Sequence, residues 1–485
     1  MLDDLERIRV TTPSTEVTDA DALLHSFKKV VGKAHVLTGK DVSARATHFW
    51  DATPLCARAV VRPANTEQTA AILKLCHDAG QSVVTHGGVT GLVDGNLSDD
   101  TDVVLSMERQ SAIESIDGRG RTMTVQSGAI LQNVQEAAAA NRLQFGLDLG
   151  ARGSCTIGGN ISTNAGGLSV LRYGMTREQV LGLEVVLANG TVLSSMNRMM
   201  KNNAGYDLKH LFIGSEGTLG IITRAVLKLR PATPNIDTAL LAFSSFDQVT
   251  DLLSDLSASL NGTLDAFEVI WQPFYQLNTN TSRQGTVAAP LPASYPLYAI
   301  VESRSNDSAS ATAFERALEV CMNNGLIQDA VIAQSNTERA SIWQIRENID
   351  LALQHDPVFV YDISLPIADM HQYVDSTVQQ LERRWPGVIV YVYGHLADGN
   401  LHVLVAPPAE KSMSGNQRQE WMEQSNAIVY TPLQVLGGSV SAEHGIGLTK
   451  KHYLPLSRTT EEIELMRLLK KSLDPAGILN PGKII

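Results

Sequence analysis

The chain has 485 residues, of which 44% are hydrophobic and 19% charged, which predicts two or three domains with ample hydrophobic core. The formal net charge of −12 argues against an extended basic surface for nucleic acid. The acidic start of the sequence and the lack of any apolar run of roughly 18 residues lead us to expect neither a signal peptide nor a membrane span.

Four cysteines are scattered along the chain without a CxxC spacing: Cys56, Cys76, Cys155 and Cys321. This distribution argues against a disulfide framework or a cysteine-rich zinc site and is typical of a reducing compartment. We therefore expect a cytoplasmic protein, and peripheral attachment to a membrane is compatible with the same features.

The first predicted elements form a βαβ-like unit after a helical lead-in over residues 1–45. A strand at residues 58–62 precedes a helix that Asn65 caps, with Gln68 three residues later as in a capping box. Gly80 ends this helix. The next strand, at residues 82–85, leads directly into a glycine-rich loop.

Residues 103–222 contain many short apolar runs with a period of two, which predict short strands. Asn189-Gly190, between two of these runs, is a hairpin signal. Many strands with few helices predict an α+β domain over residues 46–232.

The proline-containing segment 230–234 is the predicted linker to a second domain, because proline interrupts both helices and sheets. Beyond it we predict, in order, a strand at 239–243, a helix at 245–260, a strand at 298–302 and a helix at 308–324. This alternation predicts a sheet covered by helices in a domain over residues 233–440. Residues 441–485 then return to glycine-rich sequence.

Two glycine-rich loops, at residues 86–92 and 153–167, are candidates for binding a diphosphate, because glycines let backbone N–H groups approach an anion closely. Either loop by itself is equally well explained as a tight turn in a β-rich domain. Together, with their Ser, Thr and Asn side chains, they favour a dinucleotide. The chain has neither GxGxxG after a strand nor GxxxxGK[ST], which argues against a nicotinamide dehydrogenase or an NTPase.

A candidate metal site combines two segments of the second half. His395 and His402 flank the turn signal Asp398-Gly399, so a hairpin would place them opposite each other, about 5 Å apart at Cα. Glu443 adds a carboxylate to the two imidazoles. Two His and one Glu form a set with open positions that suits a divalent ion. The alternatives are two hydrogen-bonded histidines in a sheet and, around Glu443, a surface turn.

Several long strings resemble one known family. They are Gly158-Gly159-Asn160, Thr163-Asn164-Ala165-Gly166-Gly167, Arg172-Tyr173-Gly174, Gly205-Tyr206-Asp207-Leu208 and residues 211–222. These strings resemble the vanillyl-alcohol oxidase/p-cresol methylhydroxylase superfamily, in its branch with D-2-hydroxyglutarate dehydrogenase, D-lactate dehydrogenase and the glycolate oxidase D subunit. The resemblance implies an α+β fold with a two-subdomain FAD-binding domain of p-cresol methylhydroxylase (PCMH) type and an α/β cap domain with an antiparallel sheet.

The same resemblance implies which residues hold FAD: the two loops bind its diphosphate, residues 220–222 lie along it, and Asn480 reaches the isoalloxazine. The set is Gly87, Gly88, Val89, Thr90, Gly91, Leu92, Ser154, Gly158, Gly159, Asn160, Thr163, Asn164, Gly166, Gly220, Ile221, Ile222 and Asn480. Relatives with covalent FAD carry a histidine where this chain has Val89, while His86 precedes the glycines, so we expect non-covalent FAD.

The resemblance also implies roles at the site. His395, His402 and Glu443 match metal ligands and His444 matches the catalytic base; zinc is the first choice, with manganese or iron as alternatives. Arg346 matches an arginine that binds the substrate carboxylate, although without the resemblance an ion pair with Asp350 on a helix surface explains it equally well. The implied reaction is removal of the hydroxyl proton of a D-2-hydroxy acid by His444 with hydride transfer to FAD.

Three positions depart from relatives that oxidise D-2-hydroxyglutarate. Asp350, Tyr361 and Leu404 stand where those relatives have threonine, lysine and asparagine against the distal carboxylate. An ionised Asp350 would repel a second carboxylate, so we predict a monocarboxylate such as D-lactate. A hydroxylated or cationic side chain opposite Asp350 is a further option.

Three other functions stay open at this level. One is an oxidase that passes electrons to oxygen, another a non-catalytic FAD-binding subunit of a larger complex, and the third a structural zinc protein without flavin. A dehydrogenase would need an acceptor such as a quinone, an electron-transfer flavoprotein or a cytochrome, and a homodimer is a further expectation.

Overall fold

The computed structural model describes residues 20–49, 52–307, 309–408 and 413–485, so residues 1–19 of the lead-in predicted over residues 1–45 lie outside the described residues. Among the described residues, no helix combines the length and the apolar character that crossing a membrane requires. The described residues form four sheets: a four-stranded, a five-stranded and a two-stranded sheet in the N-terminal half and a seven-stranded sheet in the C-terminal half.

The first sheet has four strands in the order β1-β2-β4-β3, in which β2, β4 and β3 run parallel and β1 is antiparallel. The predicted βαβ-like unit is confirmed. Asn65 accepts the Gln68 N–H, and Gly80 closes the helix in the left-handed region, as the sequence pattern predicts. The region that contains this first sheet has the elements α1 (Ala20–Val31), β1 (Val36–Leu37), α2 (Lys40–Ser43), β2 (Ala59–Val61), α3 (Thr66–Ala79), β3 (Val83–His86) and β4 (Val103–Ser106).

The second sheet has five antiparallel strands in the order β5-β6-β10-β8-β9. Asn189-Gly190 connects β8 and β9 with Gly190 at φ 84°, which confirms the predicted hairpin. The region that contains this second sheet has the elements β5 (Ile113–Asp117), β6 (Thr122–Gln126), α4 (Leu131–Ala140), β7 (Leu143–Gln144), α5 (Ile157–Thr163), α6 (Val170–Tyr173), α7 (Thr176–Gln179), β8 (Val180–Val186), β9 (Val192–Ser195), α8 (Lys209–Phe212) and β10 (Ile221–Lys228).

The segment 230–234, predicted as a linker, begins instead as a short strand, β11 (Arg230–Pro231), which pairs with β7. Proline is tolerated there because the pair has only two residues on each side and a free edge. The seven-stranded sheet starts immediately afterwards.

That sheet has seven antiparallel strands in the order β15-β12-β14-β13-β17-β18-β16. Its elements are β12 (Asn235–Phe243), α9 (Phe246–Ser259), β13 (Leu264–Trp271), α10 (Gln272–Thr279), β14 (Leu297–Ser305), α11 (Ser310–Asn323), β15 (Asp329–Ile332), α12 (Asn336–Glu347), α13 (Asp350–Leu353), β16 (Phe359–Ser364), α14 (Met370–Arg384), β17 (Ile389–His395), β18 (Asn400–Ala406) and α15 (Gly415–Leu436). The strands and helices predicted between residues 239 and 324 are confirmed, except that residue 308 lies outside the described residues.

Side chains alternate between the two faces of this sheet, because successive strand residues point in opposite directions. One face packs against the main apolar core and carries Tyr361, Val392 and Val403. The other face carries Tyr393 and Leu404 in a separate cluster, together with the polar residues of the candidate site.

The last residues, including α16 (Thr460–Leu473), return to the N-terminal half. The Asn480 N–H donates to the Val83 carbonyl, and the Ile484 N–H donates to the Gly447 carbonyl. The α+β prediction is confirmed, and the C-terminal segment connects both halves.

Candidate active site

Three imidazoles surround one carboxylate at the junction of the two halves. Glu443 Oε1 lies 4.0 Å from His395 Nε2, 3.7 Å from His402 Nε2 and 3.9 Å from His444 Nε2. The structure thus brings together the four residues that the sequence proposed for metal binding and proton transfer.

The hairpin that carries His395 and His402 has a different register from the predicted one. A 3₁₀ turn at Leu396–Asp398, closed by Gly399 at φ 84°, connects the strands. The cross-strand partner of His402 is Tyr393, whereas His395 pairs with Glu268 on β13. The two imidazoles are therefore diagonal neighbours, with ring centroids 5.5 Å apart, and not directly opposed.

Glu268, which the sequence did not single out, orients His395. Its Oε1 accepts the Nδ1 proton at 2.5 Å, so Nε2 faces Glu443. Burial lowers the pKa of His395, but the Glu268 carboxylate outweighs burial and raises this pKa to about 9. A metal ion at Nε2 would take the place of the proton that Nε2 carries in the imidazolium, while the Nδ1 proton stays on the Glu268 hydrogen bond. Such carboxylate–histidine pairs commonly fix a metal-binding imidazole.

Asp362 holds the segment that carries Glu443 and His444. Its Oδ2 accepts the backbone N–H groups of Ala442 at 3.1 Å, Glu443 at 3.0 Å and His444 at 2.9 Å. The buried Lys450 ammonium lies 3.6 Å from the same oxygen. Burial raises the pKa of Asp362, yet the positive charge of His444, Lys450 and His402 holds it well below its usual range.

The donor set fits a divalent cation. Ligand atoms of Asp362, His402, Glu443 and His444 all lie within 4.8 Å of one another, and His395 faces the same Glu443 oxygen. Burial, followed by the charge of Arg346, lowers the pKa of His402, which favours the neutral imidazole that binds metals. Mixed imidazole nitrogen and carboxylate oxygen suits zinc, and also manganese or iron.

Arg346 is a buried cation beside these ligands and not part of a surface ion pair. Its Nε donates to Glu268 at 2.7 Å, its Nη2 lies 3.1 Å from His395 Nε2, and its guanidinium lies 4.7 Å from the Tyr393 ring centroid. Asp350 is exposed at the start of α13. The helix-surface alternative is therefore wrong, and the Arg346 guanidinium lies beside His395 in the candidate site.

The strand register corrects one predicted substrate contact. Tyr361 points to the opposite face of the sheet, where it is 1% exposed and bonds Ser425. Its neighbour Val360 lies on the site-side face, opposite Leu404. The position of Tyr361 was predicted from its distance along the sequence from Arg346. Such a count does not fix which face a side chain occupies, because a shift of one residue in a strand moves the side chain to the opposite face of the sheet.

The two glycine-rich loops touch each other. A Cβ on Gly88 in the first loop would lie 2.2 Å from the carbonyl oxygen of Ser154 in the second loop. The second loop also packs closely on Ser127, since a Cβ on Gly158 would lie 2.6 Å from Ser127 Cβ. Val89 has a φ of 50°, unusual for a β-branched residue. Thr90, Gly91 and Leu92 continue the first loop, while Gly159, Asn160 and Thr163 belong to α5, which Asn164 ends.

Two buried hydroxyls beside these loops, Thr85 Oγ1 and Ser127 Oγ, have no hydrogen-bond partner within the described part of the protein. Buried polar groups are normally paired, so a polar ligand such as FAD fits here. At the far end, a Cβ on Gly166 would lie 3.0 Å from Glu443 Oε2, so the second loop reaches the candidate metal site.

Other residues of the predicted FAD set contact protein. The Asn480 side chain accepts the Thr85 N–H at 3.0 Å and donates to the Glu216 carbonyl at 2.6 Å, so its amide joins three segments. Gly220, Ile221 and Ile222 lie buried at the start of β10. His86, which precedes the glycines of the first loop, donates from Nε2 to the Asn96 carbonyl at 2.8 Å.

Sequence analysis missed Glu268 and Asp362, although a signal existed. Each is a lone acidic residue within an apolar strand, at Ala266-Phe267-Glu268-Val269-Ile270 and Val360-Tyr361-Asp362-Ile363. A carboxylate in such a strand needs buried partners, which marks it as a member of a polar site.

We expect Asp362→Ala to lower the free energy of unfolding by about 3–5 kcal/mol, because it leaves the buried Lys450 cation without its acidic partner. Denaturant unfolding of the purified chain measures this. The exposed Asp251→Ala is the control and should stay within about 0.5 kcal/mol of wild type. Equal stabilities of both variants would contradict the role given to Asp362.

Comparison with known proteins places this architecture in a family. Residues 233–484 match the model of FAD linked oxidases, C-terminal domain, and residues 57–195 match that of an FAD binding domain. The chain belongs to the FAD-linked oxidase family, and it is a flavin-binding oxidoreductase.

Its relatives are similar over most of their length. The chain is 39% identical to D-2-hydroxyglutarate dehydrogenase of Xanthomonas citri pv. viticola over 442 residues, 90% of both chains. It is 36% identical to the mitochondrial D-2-hydroxyglutarate dehydrogenase of Danio rerio over 492 residues, which cover 100% of this chain and 85% of the relative. The fold is similar to substrate-bound p-cresol methylhydroxylase, with a TM-score of 0.75 at 14% identity over 98% of both chains. The predicted PCMH-type fold is confirmed.

Proposed function

We propose that this chain oxidises a D-2-hydroxy acid to the 2-oxo acid, with FAD as hydride acceptor and a divalent metal ion held by His395, His402 and Glu443. The observation that carries the proposal is the convergence of three imidazoles on one Glu443 oxygen, with the buried Arg346 beside them. The names of the relatives, FAD-linked dehydrogenases of a D-2-hydroxy acid, support it.

When bound, FAD takes up the α-hydride, and the divalent ion lowers the pKa of the substrate hydroxyl. The chain's own residues place the substrate. Arg346 binds the carboxylate beside the hydroxyl, since a guanidinium matches carboxylate geometry. Its orientation is set by Glu268, which takes one of its N–H donors.

His444 is the proposed base. Its side chain is 16% exposed, against 8% for His395 and 6% for His402, so a proton that it accepts has a route to solvent. Asp362 fixes its backbone N–H and lies 3.8 Å from its Nδ1. Asp362 therefore holds the His444 backbone in place for proton transfer.

For the substrate we propose a monocarboxylate such as D-lactate, although the relatives are named for D-2-hydroxyglutarate. The apolar Leu404 and Val360 occupy the site-side face of β18 and β16, and Leu404 is fully enclosed among apolar residues. Asp350 adds an exposed negative charge at the start of α13. A second carboxylate would meet apolar or like-charged groups there, which costs binding energy.

A panel of D- and L-2-hydroxy acids with an artificial dye acceptor tests this proposal on the FAD-loaded chain. We expect kcat/KM for D-2-hydroxyglutarate to be about 10- to 100-fold below that for D-lactate. A chelator should abolish turnover, and Zn²⁺ or Mn²⁺ should restore it. Efficient turnover of the diacid would overturn the substrate proposal, and activity that resists chelation would overturn the metal proposal.

The remaining alternatives have their own readouts. Peroxide formation during turnover would favour an oxidase, and a purified chain that is inactive by itself would favour a non-catalytic subunit. The FAD binding domain match argues against a zinc protein without flavin. The electron acceptor, a homodimer and a cytoplasmic location stay predictions.

A further inference from the structure

The segment that carries two of the site residues is held by two carboxylates from different halves of the chain. We call residues 441–447 the site loop. Asp362, in the C-terminal half, accepts the N–H groups of its residues 442–444. Glu216, in the N-terminal half, accepts the Ile446 N–H at 2.7 Å through Oε1 and the Gly447 N–H at 2.9 Å through Oε2.

Glu216 is itself firmly placed within the FAD-binding half. It lies between α8 and β10, is 8% exposed, and adopts a φ of 49° that a non-glycine residue rarely takes. Its N–H donates to the Ser162 carbonyl at 2.7 Å, and its own carbonyl accepts the Asn480 amide at 2.6 Å. The backbone of Glu216, and with it the carboxylate, is therefore held in place within the FAD-binding half.

The site loop approaches this carboxylate too closely for any side chain. Gly445 has a φ of 89°, and a Cβ there would lie 2.7 Å from Glu216 Oε1. At Gly447 a Cβ would lie 1.9 Å from the Val93 carbonyl oxygen, and the Leu448 N–H donates to that oxygen at 2.9 Å. Because Val93 directly follows the first glycine-rich loop, the site loop is attached to the FAD-binding half at two points.

We propose that Glu216 is a positioning residue that sets the placement of Glu443 and His444 relative to the flavin-binding half, by bonding the backbone immediately after them. The inference rests on the proposed function, because its readout is metal binding at Glu443. Asp362 fixes the site loop to the sheet of the C-terminal half. Glu216 attaches the loop to the FAD-binding half at the residues directly after His444, whereas the Val93 carbonyl attaches the chain further on, at Leu448. Loss of the two Glu216 hydrogen bonds should therefore loosen the placement of Glu443 and His444 relative to the FAD-binding half.

The test measures Zn²⁺ affinity in the FAD-loaded full chain after removal of metal with a chelator, by titration with Zn²⁺ alone. In Glu216→Gln one acceptor oxygen becomes an amide donor facing an N–H group. We expect Zn²⁺ binding to weaken by about tenfold or more, the scale seen when groups that orient metal ligands are removed. The bound FAD should be unchanged, and kcat with D-lactate should fall.

Glu184→Gln is the matched control. Glu184 is also a buried carboxylate of the FAD-binding half, but it accepts from Thr66 at 2.6 Å and Thr223 at 3.1 Å, away from the site loop. We expect it to lower the thermal unfolding midpoint without changing Zn²⁺ affinity. Both affinities are measured at a temperature where each variant is folded, so that loss of stability alone does not change them.

If Glu216→Gln does not fold, Gly445→Ala provides the second variant, because its added Cβ would displace the site loop from Glu216 and should weaken Zn²⁺ binding in the same way. Wild-type Zn²⁺ affinity in folded Glu216→Gln would overturn this inference but not the proposed metal site. An equal loss of Zn²⁺ affinity in Glu184→Gln would have the same consequence. Failure of the wild-type chain to bind any divalent metal would overturn the proposed metal site and this inference together.

Discussion

Replacement of His444 by alanine is expected to lower kcat by about 10²- to 10⁴-fold, the contribution that a positioned general base makes. His444 is the most solvent-accessible of the three imidazoles around Glu443, so it is best placed to exchange a proton with water. FAD content should stay at the wild-type level. Steady-state kinetics of the metal-loaded variant with the D-2-hydroxy acid that wild type uses best measures the effect.

Zn²⁺ affinity in the same variant separates the two roles that the geometry allows for His444. Its Nε2 lies as near to Glu443 as those of the other imidazoles, and it belongs to the group of donors within 4.8 Å of one another. If His444 is only the base, its removal should leave the Zn²⁺ affinity close to that of wild type. If His444 is also a metal ligand, its removal should lower the Zn²⁺ affinity. The exposed His371→Ala on α14 serves as the control and should retain full activity. Wild-type turnover in His444→Ala would contradict its assignment as base.

The second large effect is expected from His402→Ala. The variant should bind Zn²⁺ more than about 100-fold more weakly, beyond the loss caused by removing a group that merely orients a ligand. Turnover should fall to the level of the chelated wild-type chain. Metal analysis after dialysis, together with dye-coupled activity, measures both quantities. The reason is geometric: His402 Nε2 is the imidazole nitrogen nearest to Glu443, at 3.7 Å.

An exposed histidine near the C-terminus, His452, provides the control for this experiment, because it lies on the same segment as the site loop but outside the ligand cluster. His452→Ala should keep wild-type metal content and activity. Retention of one equivalent of metal by His402→Ala would show that the ion is held elsewhere. In that event the role of Glu443 would also have to be reassigned.

Local patterns in the sequence were sufficient for several elements of the fold. The cap at Asn65 and the hairpin at Asn189-Gly190 depend on residues within four positions of each other, so their geometry follows from nearby chemistry. The segment 230–234 behaved differently. Its prolines suggested a break, but β7 lies alongside and accepts it as a two-residue strand, and no local pattern reports that neighbour.

The candidate site divides in the same way. The residues proposed for metal binding and proton transfer were selected from motifs, since each lies in a short glycine-containing string: His395, His402, Glu443 and His444. Tyr361 was assigned to the substrate site by counting residues from Arg346, but its strand directs the side chain into the apolar core, on the face opposite the candidate site. Residues that hold the reactive groups in place were missed, because their role depends on partners far along the chain.

By itself, the sequence determined the α+β fold class, and it singled out the two glycine-rich loops and the side chains of the candidate site. Only the tertiary structure decided which carboxylates hold them. Glu268 meets His395 across a pair of strands, and Glu216 reaches a backbone N–H 230 residues away. Such contacts depend on strand register and on how the two halves dock. Both are set by the packing of whole elements, so a local pattern can mark a carboxylate as buried but does not show which residue it will contact.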